Sequence, residues 1–161
     1  MNMIITISRS DGTGASIIAE DLSKRLGIPV YDKASVAQIL SNNDYASEAE
    51  VIKKLADEPC VILGRCASDI LKDRSNIFNI LVCADKEDRI QRIMKKDHLD
   101  YEHAKAHVEK TDAIRQEYYY THTGKTWGDV NEYHMILDTS RYGIKNSTEI
   151  VMKYFERAGY I

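Results

Sequence analysis

Residues 4 to 16 read IITISRSDGTGAS, an apolar, β-branched run that stops at a turn cluster and passes into helix-forming residues. Met3 to Ser8 suits a strand buried on both faces. Ser10, Asp11 and Gly12 make the turn. Ser16 to Leu26 then sets Ile17, Ile18, Leu22 and Leu26 near helical spacing, and Gly27 stops the helix. A strand, a glycine-containing loop and a helix start can bind phosphate, because N–H groups at the helix N-terminus point at the anion and the helix dipole adds positive charge. Here Gly12, Thr13 and Gly14 supply flexible backbone, and Ser16 offers a hydroxyl to Mg²⁺ or a helix cap. The full pattern G-x-x-x-x-G-K-[ST] is not met: counted back from Gly14, Arg9 holds the first glycine's place and Ala15 the lysine's. On these residues alone, a phosphate loop and a plain turn both stay open.

The same alternation runs outward along the chain. Ile28 to Tyr31, Cys60 to Leu63, Ile77 to Cys83 and Tyr133 to Leu137 read as further short strands. Helices are expected over Lys33 to Leu40, Ala67 to Lys72, Lys86 to Lys96, Tyr101 to Tyr120 and Asn146 to Ala158, the last capped by Asn146 or Ser147. Ser41 to Asp44 breaks the first of these. Another helix, Ser47 to Ala56, is expected to start at Ser47 with Glu50 closing a capping box. Strands alternating with helices imply right-handed crossovers and a mainly parallel sheet in a three-layer α/β fold, with ligands outside the strands' C-terminal ends.

Composition narrows the function classes. The chain has 161 residues, enough for one domain over 1–161 that needs no metal or disulfide staple. Its net charge of −3 argues against a nucleic-acid surface. Apolar stretches reach only about five residues, far short of a membrane span, and no export signal precedes the first strand. Three cysteines without C-x-x-C spacing read as reduced thiols, so the cytoplasm is the expected compartment. His103 and His107 stand at i, i+4 but lack the HExxH glutamate, so a metal site is not expected there.

Several motifs then succeed one another: ITISR…GTG, Gly27 to Lys33 (GIPVYDK), Val61 to Ala67 (VILGRCA), Lys110 to Arg115 (KTDAIR), Tyr118-Tyr119, Thr123 to Gly128 (TGKTWG) and Leu137 to Ser140 (LDTS). In order and spacing this set resembles the bacterial cytidylate kinase-like family, P-loop proteins related to the nucleoside monophosphate kinases. The resemblance runs from Met3 to about Val151. It implies a P-loop NTPase fold with a core, a helical lid region (about 97–130) and an acceptor-binding region (33–50) shorter than is usual.

The resemblance also implies roles. Gly12, Thr13, Gly14, Ala15 and Ser16 would hold the donor phosphates of ATP, with Mg²⁺ at Ser16. Arg65, Asp112 and Arg115 would hold the acceptor, a nucleoside monophosphate such as CMP. Arg9 and Arg92 would stabilise developing charge, with Arg89 nearby, since phosphoryl transfer asks chiefly for positioning and neutralisation. Arg9 or Lys125 would replace the missing lysine. Asp112 and Arg115, at i, i+3, would otherwise pair with each other. Nucleotides are the expected partners, a homodimer stays open, and neither nucleic acid nor membrane is expected. The rival expectations are a degenerate kinase that binds nucleotide without turnover, and an interaction domain that keeps only the fold.

Overall fold

The computed structural model describes residues 1–40 and 44–161. Five strands, β1 (Ile4–Arg9), β2 (Val30–Tyr31), β3 (Cys60–Leu63), β4 (Ile77–Cys83) and β5 (Met135–Asp138), form one sheet in the order β2-β3-β1-β4-β5. Every pairing is parallel, with Ile4 opposite Cys60 on one side and Ile77 on the other. Helices α1 (Ala15–Leu26), α2 (Lys33–Ile39), α3 (Tyr45–Leu55), α4 (Ala67–Ile70), α5 (Lys86–Asp97), α6 (Tyr101–Thr123), α7 (Thr139–Tyr142) and α8 (Ile144–Ala158), with a short 3₁₀ turn at Val130–Glu132, accompany the sheet.

The central strand reads as a continuous apolar run because both of its faces are covered. Met3, Ile5 and Ile7 pack with Ile18 and Leu22 of α1 and Val151 and Phe155 of α8. Ile4 packs on the opposite face with Ile52, Ala56, Ala67 and Leu71. Between them, Thr6 Oγ1 donates to Asn79 Oδ1 at 2.6 Å across the β1–β4 register, which satisfies two polar side chains inside the sheet. A third apolar cluster, Ile90, Ile93, Ala104 and Val108, joins α5 to α6.

Some boundaries differ from those expected. β2 keeps only Val30–Tyr31, while the Pro29 carbonyl, just before it, accepts from the Val61 N–H at 2.9 Å. The α3 cap is Asp44, not Ser47: the Asp44 carboxylate accepts the Ser47 N–H at 2.8 Å, so the helix begins two residues earlier. Among the described helices, α2 carries the reciprocal capping box, between Asp32 and Ser35. Asp44→Ala is therefore expected to cost about 1 kcal/mol in denaturant unfolding, and Ser47→Ala only a few tenths. α8 starts at Ile144 from Gly143, ahead of Asn146 and Ser147, and the Ser147 hydroxyl donates to the Gly143 carbonyl at 2.7 Å. The expected break at Ser41, Asn42 and Asn43 lies outside the described residues. Among those described, no helix is long and apolar enough to cross a membrane.

Candidate functional site

The strand order puts the C-terminal end of β1 at the middle of the sheet, between β3 and β4, where the connections diverge and a crevice opens. The loop from Ser10 to Gly14 lies there. Gly12 and Gly14 have φ of 76° and 82°, in the left-handed region that favours glycine. A Cβ on Gly12 would stand 2.7 Å from the Arg89 carbonyl oxygen, so the loop packs against α5 as only glycine permits. Thr13 is buried and its hydroxyl donates to the Ser10 carbonyl at 3.1 Å, which closes the turn. Among the described residues, no protein acceptor engages the N–H groups of Gly12, Thr13, Gly14, Ala15 or Ser16. These are successive donors at a helix N-terminus, the arrangement that suits phosphate. Ser16 is exposed on the first turn of α1, whereas Ala15 is 2% exposed and packed in the core.

Polar side chains of α5 and α6 hold this loop from outside. Asp112 accepts the Asp11 N–H at 2.8 Å and forms an ion pair with Arg89 at 2.6 Å. Arg89 also donates to the Asp11 carbonyl at 3.2 Å, and His107 Nδ1 lies 2.8 Å from the Asp11 carboxylate. Arg92 donates to the carbonyls of Gly12 and Thr13 and to Thr139 Oγ1, at 3.2, 3.3 and 2.8 Å. Thr139 Oγ1 in turn donates to the Thr13 carbonyl at 2.8 Å. Two residues named from the resemblance thus have structural partners of their own. Arg92, expected to face developing charge, lines the cleft along the loop but spends donors on loop carbonyls and Thr139. Asp112 spends both oxygens on Arg89 and the loop where it was expected to face an acceptor. Nor do Asp112 and Arg115 form an ion pair with each other.

Lys125 does not take the missing lysine's place either. Its ammonium is fixed between Asp69 at 3.1 Å and Glu132 at 2.9 Å, which raise its pKa. His103 bonds to Asp100, and among the described residues no group of metal-binding side chains converges.

Three arginines meet beside the loop. Arg9, Arg65 and Arg115 line one cavity of about 130 Å³ together with Lys33, Tyr118 and Tyr119. The guanidinium of Arg9 occupies the room left by the missing Cβ of Gly64, which would otherwise stand 2.6 Å from its Nη1. Burial, then the charges of Arg115 and Arg65, push the Arg9 pKa down to about 10. Burial also lowers that of Arg115, although Asp11 and Asp112 oppose the shift. Arg115 Nη1 and the Tyr119 hydroxyl are buried with no hydrogen-bond partner. Burial holds the Tyr119 phenol near 12, so it remains a donor at neutral pH. Unmatched buried donors of this kind cost free energy unless a ligand supplies the acceptor.

Local backbone at this cavity is strained. Gly64, Arg65 and Cys66 all lie in the left-handed region, with φ of 71°, 60° and 54°. For Arg65 and Cys66 this costs about 1 kcal/mol or more each. Arg65 is held by Glu48 at 3.0 Å and lies 5.0 Å from the centre of the Tyr118 ring.

The small cavity joins two larger ones by shared walls. Arg9 and Arg115 also line a cleft of about 620 Å³ along the loop, with Lys95 and Lys96. Lys33, Arg65 and Tyr118 also line a cavity of about 500 Å³ formed with Val36, Leu40, Tyr45 and His122. Sequence reasoning missed Glu48, Lys33 and the bond of His107 to the loop, and it named Arg89 without its role as a loop tether. Glu48 had a signal: it sits on the same α3 face as Ile52, a carboxylate within an apolar stripe. His107 had none, because its partner Asp11 is 96 residues away.

Comparison with known proteins gives a consistent picture. The model of a family described as the cytidylate kinase-like family matches residues 4–49 and 40–141. A cytidylate kinase of Aeropyrum pernix is 24% identical, over 95% of this chain and 99% of its own length. The crystal structure of an uncharacterized protein from Eubacterium ventriosum superposes with a TM-score of 0.91 at 28% identity, covering 96% of this chain and 98% of that one. A Bacillus subtilis protein solved with phosphorylated GDP superposes with a TM-score of 0.63 at 18% identity, covering 99% of each chain. Shikimate kinase from Bacteroides thetaiotaomicron does so at 0.59 and 11%, covering 96% of this chain and 98% of its own, and both of these speak to the fold alone.

Proposed function

We propose a phosphoryl-transfer function from the premise that the chain belongs to the cytidylate kinase-like family. The reading is transfer of the γ-phosphoryl group of ATP to a small phosphate-bearing acceptor, a nucleoside monophosphate such as CMP. The observation that carries it is the cavity with unmatched donors, Arg115 Nη1 and the Tyr119 hydroxyl, beside a loop of free N–H groups. Two adjoining anion sites are what donor and acceptor phosphates need.

Gly12, Thr13, Gly14, Ala15 and Ser16 hold the donor phosphates through backbone N–H groups, and the Ser16 hydroxyl fits Mg²⁺, which neutralises phosphate charge when bound. Arg65 and Arg115 hold the acceptor phosphate, and the cavity of about 500 Å³ has room for its nucleoside. A phosphate monoester (second pKa about 6) is already largely a dianion at neutral pH, so its oxygen attacks without a protein base. The new bond joins that oxygen to the γ-phosphorus, and the bond to the β–γ bridging oxygen breaks and leaves ADP. Arg9, between the two sites, meets the charge of the transferring group. Arg92 and Asp112 act at one remove by fixing the loop. Cytosol is the setting this chemistry suits.

A second reading, nucleotide binding without turnover, is favoured by Ala15 and by the tethering of Lys125 away from the loop. Calorimetric titration with ATP and Mg²⁺, repeated with CMP present and followed by a turnover assay, decides between them. Saturating heat, tighter binding in the presence of CMP, and ADP formation are expected. Binding without ADP would favour the second reading, with Ala15→Lys then expected to create activity. No binding of either nucleotide at millimolar concentration would overturn both.

A further inference from the structure

We propose that Glu48 is a positioning residue, holding the Arg65 guanidinium in the one orientation that receives the acceptor phosphate. The proposal rests on the acceptor-site reading above and extends it to a residue outside the phosphate-contacting set. Glu48 is only 8% exposed, on α3, where an apolar side chain would pack at no electrostatic cost. Both of its carboxylate oxygens are spent. Oε1 accepts from Arg65 Nη1 at 3.0 Å, and Oε2 accepts from the Tyr118 hydroxyl at 3.2 Å.

The same Tyr118 places its ring 5.0 Å from the Arg65 guanidinium carbon. Arg65 is thus gripped by a carboxylate, an aromatic face and a left-handed backbone at φ 60°. A free arginine side chain loses rotamer entropy when a ligand freezes it. Here Glu48 and Tyr118 freeze it beforehand, and the remaining donors of the guanidinium are left for the cavity it lines. Glu48 also lines the neighbouring cavity of about 500 Å³, but its oxygens are already engaged, so its part there is to hold the shared wall.

Charge and position predict opposite signs, which makes the idea testable. If Glu48 acted only through its charge, Glu48→Gln would raise the positive potential of the cavity and tighten anion binding. If it positions Arg65, the same substitution weakens binding. The experiment titrates wild type, Glu48→Gln, Glu48→Asp, Tyr118→Phe and Arg65→Ala with inorganic phosphate and with CMP, alongside steady-state KM for CMP and ATP. Thermal unfolding checks that each variant is folded.

The expected result is a tenfold or greater loss of phosphate and CMP affinity in Glu48→Gln. A matching rise in KM for CMP should leave KM for ATP unchanged. Glu48→Asp should recover part of the loss, and Tyr118→Phe, which keeps the ring, should lose less than Glu48→Gln. Tighter or unchanged phosphate binding in folded Glu48→Gln, with Arg65→Ala still impaired, overturns the proposal. A wild type that binds phosphate but transfers nothing to CMP defeats the kinase reading alone, and Glu48 is then judged by phosphate affinity. A wild type that binds neither defeats both.

Discussion

Arg115→Ala is expected to lower kcat/KM for CMP a hundredfold or more while leaving thermal stability unchanged or raised. Removing one preorganised donor from the site of charge development elsewhere costs about 10²–10³ in rate. Arg115 lines both the small cavity and the cleft along the loop, at the junction of donor and acceptor sites, and its Nη1 has no protein partner to lose. A structural arginine behaves differently, because its deletion strands a buried carboxylate and lowers stability.

The sign follows from the pKa shifts. The pKa of Arg115 and, more strongly, of Arg9 is lowered in the fold, chiefly by burial and in both by neighbouring positive charge. A base with a lowered pKa is charged at a cost in the folded state. The cost is present at neutral pH and relieved only as pH rises through the folded value, about 10 for Arg9. A bound phosphate relieves it at neutral pH instead. Inorganic phosphate at a hundred times its dissociation constant should therefore add about 2.7 kcal/mol to wild-type stability, and much less to Arg115→Ala. Fluorescence-monitored unfolding with and without phosphate measures both. An Arg115→Ala protein that melts well below wild type, with full phosphate stabilisation, would show that the arginine is architectural.

How much of this was legible beforehand depends on whether the cause was local. The buried β1 run, the glycine stops at Gly27 and Gly64 and the alternation of elements are short-range patterns, and the five strands appear where they point, within a few residues. The α3 cap slipped because Asp44 and Ser47 are both good capping residues, and only the geometry chooses Asp44. α7 was missed because its four residues carry no periodicity, although Asp138 caps it through the Ser140 and Arg141 N–H groups.

At the site, residue type announced the chemistry but not the assignment. Arg9, Arg65, Arg89, Arg92 and Arg115 are alike in a linear pattern. Whether a guanidinium faces a cavity or a loop carbonyl depends on contacts between residues 23 to 106 positions apart. Arg89 and Arg92 tether the loop, Arg92 from the wall of the cleft itself, while Arg9 and Arg115 line the cavities. The clefts need all of these elements at once, so no segment carried their outline.

Asp112→Ala is expected to destabilise the fold by about 2–4 kcal/mol and to abolish measurable ATP binding, although Asp112 touches no ligand in this assignment. Its side chain and that of Arg89 are 17% and 11% exposed, and removing one partner of a largely buried pair leaves the other charge uncompensated. Arg89 would then keep only the carbonyls of Ala84 and Asp11. The Asp11 N–H would lose its acceptor as well, just ahead of the free N–H groups from Gly12 to Ser16. A phosphate loop binds because its donors already converge, so releasing one end loses preorganisation along its whole length. Asp112→Asn keeps an acceptor for Asp11 but not the charge for Arg89, and should fall between the two in urea unfolding. The sequence pattern D-x-x-R implied a different outcome, in which Asp112 holds the acceptor. In that case Asp112→Ala would raise KM for CMP and spare both stability and ATP affinity. Urea unfolding with paired ATP and CMP titrations separates the two assignments, because a loop tether and an acceptor ligand fail on opposite sides of the site.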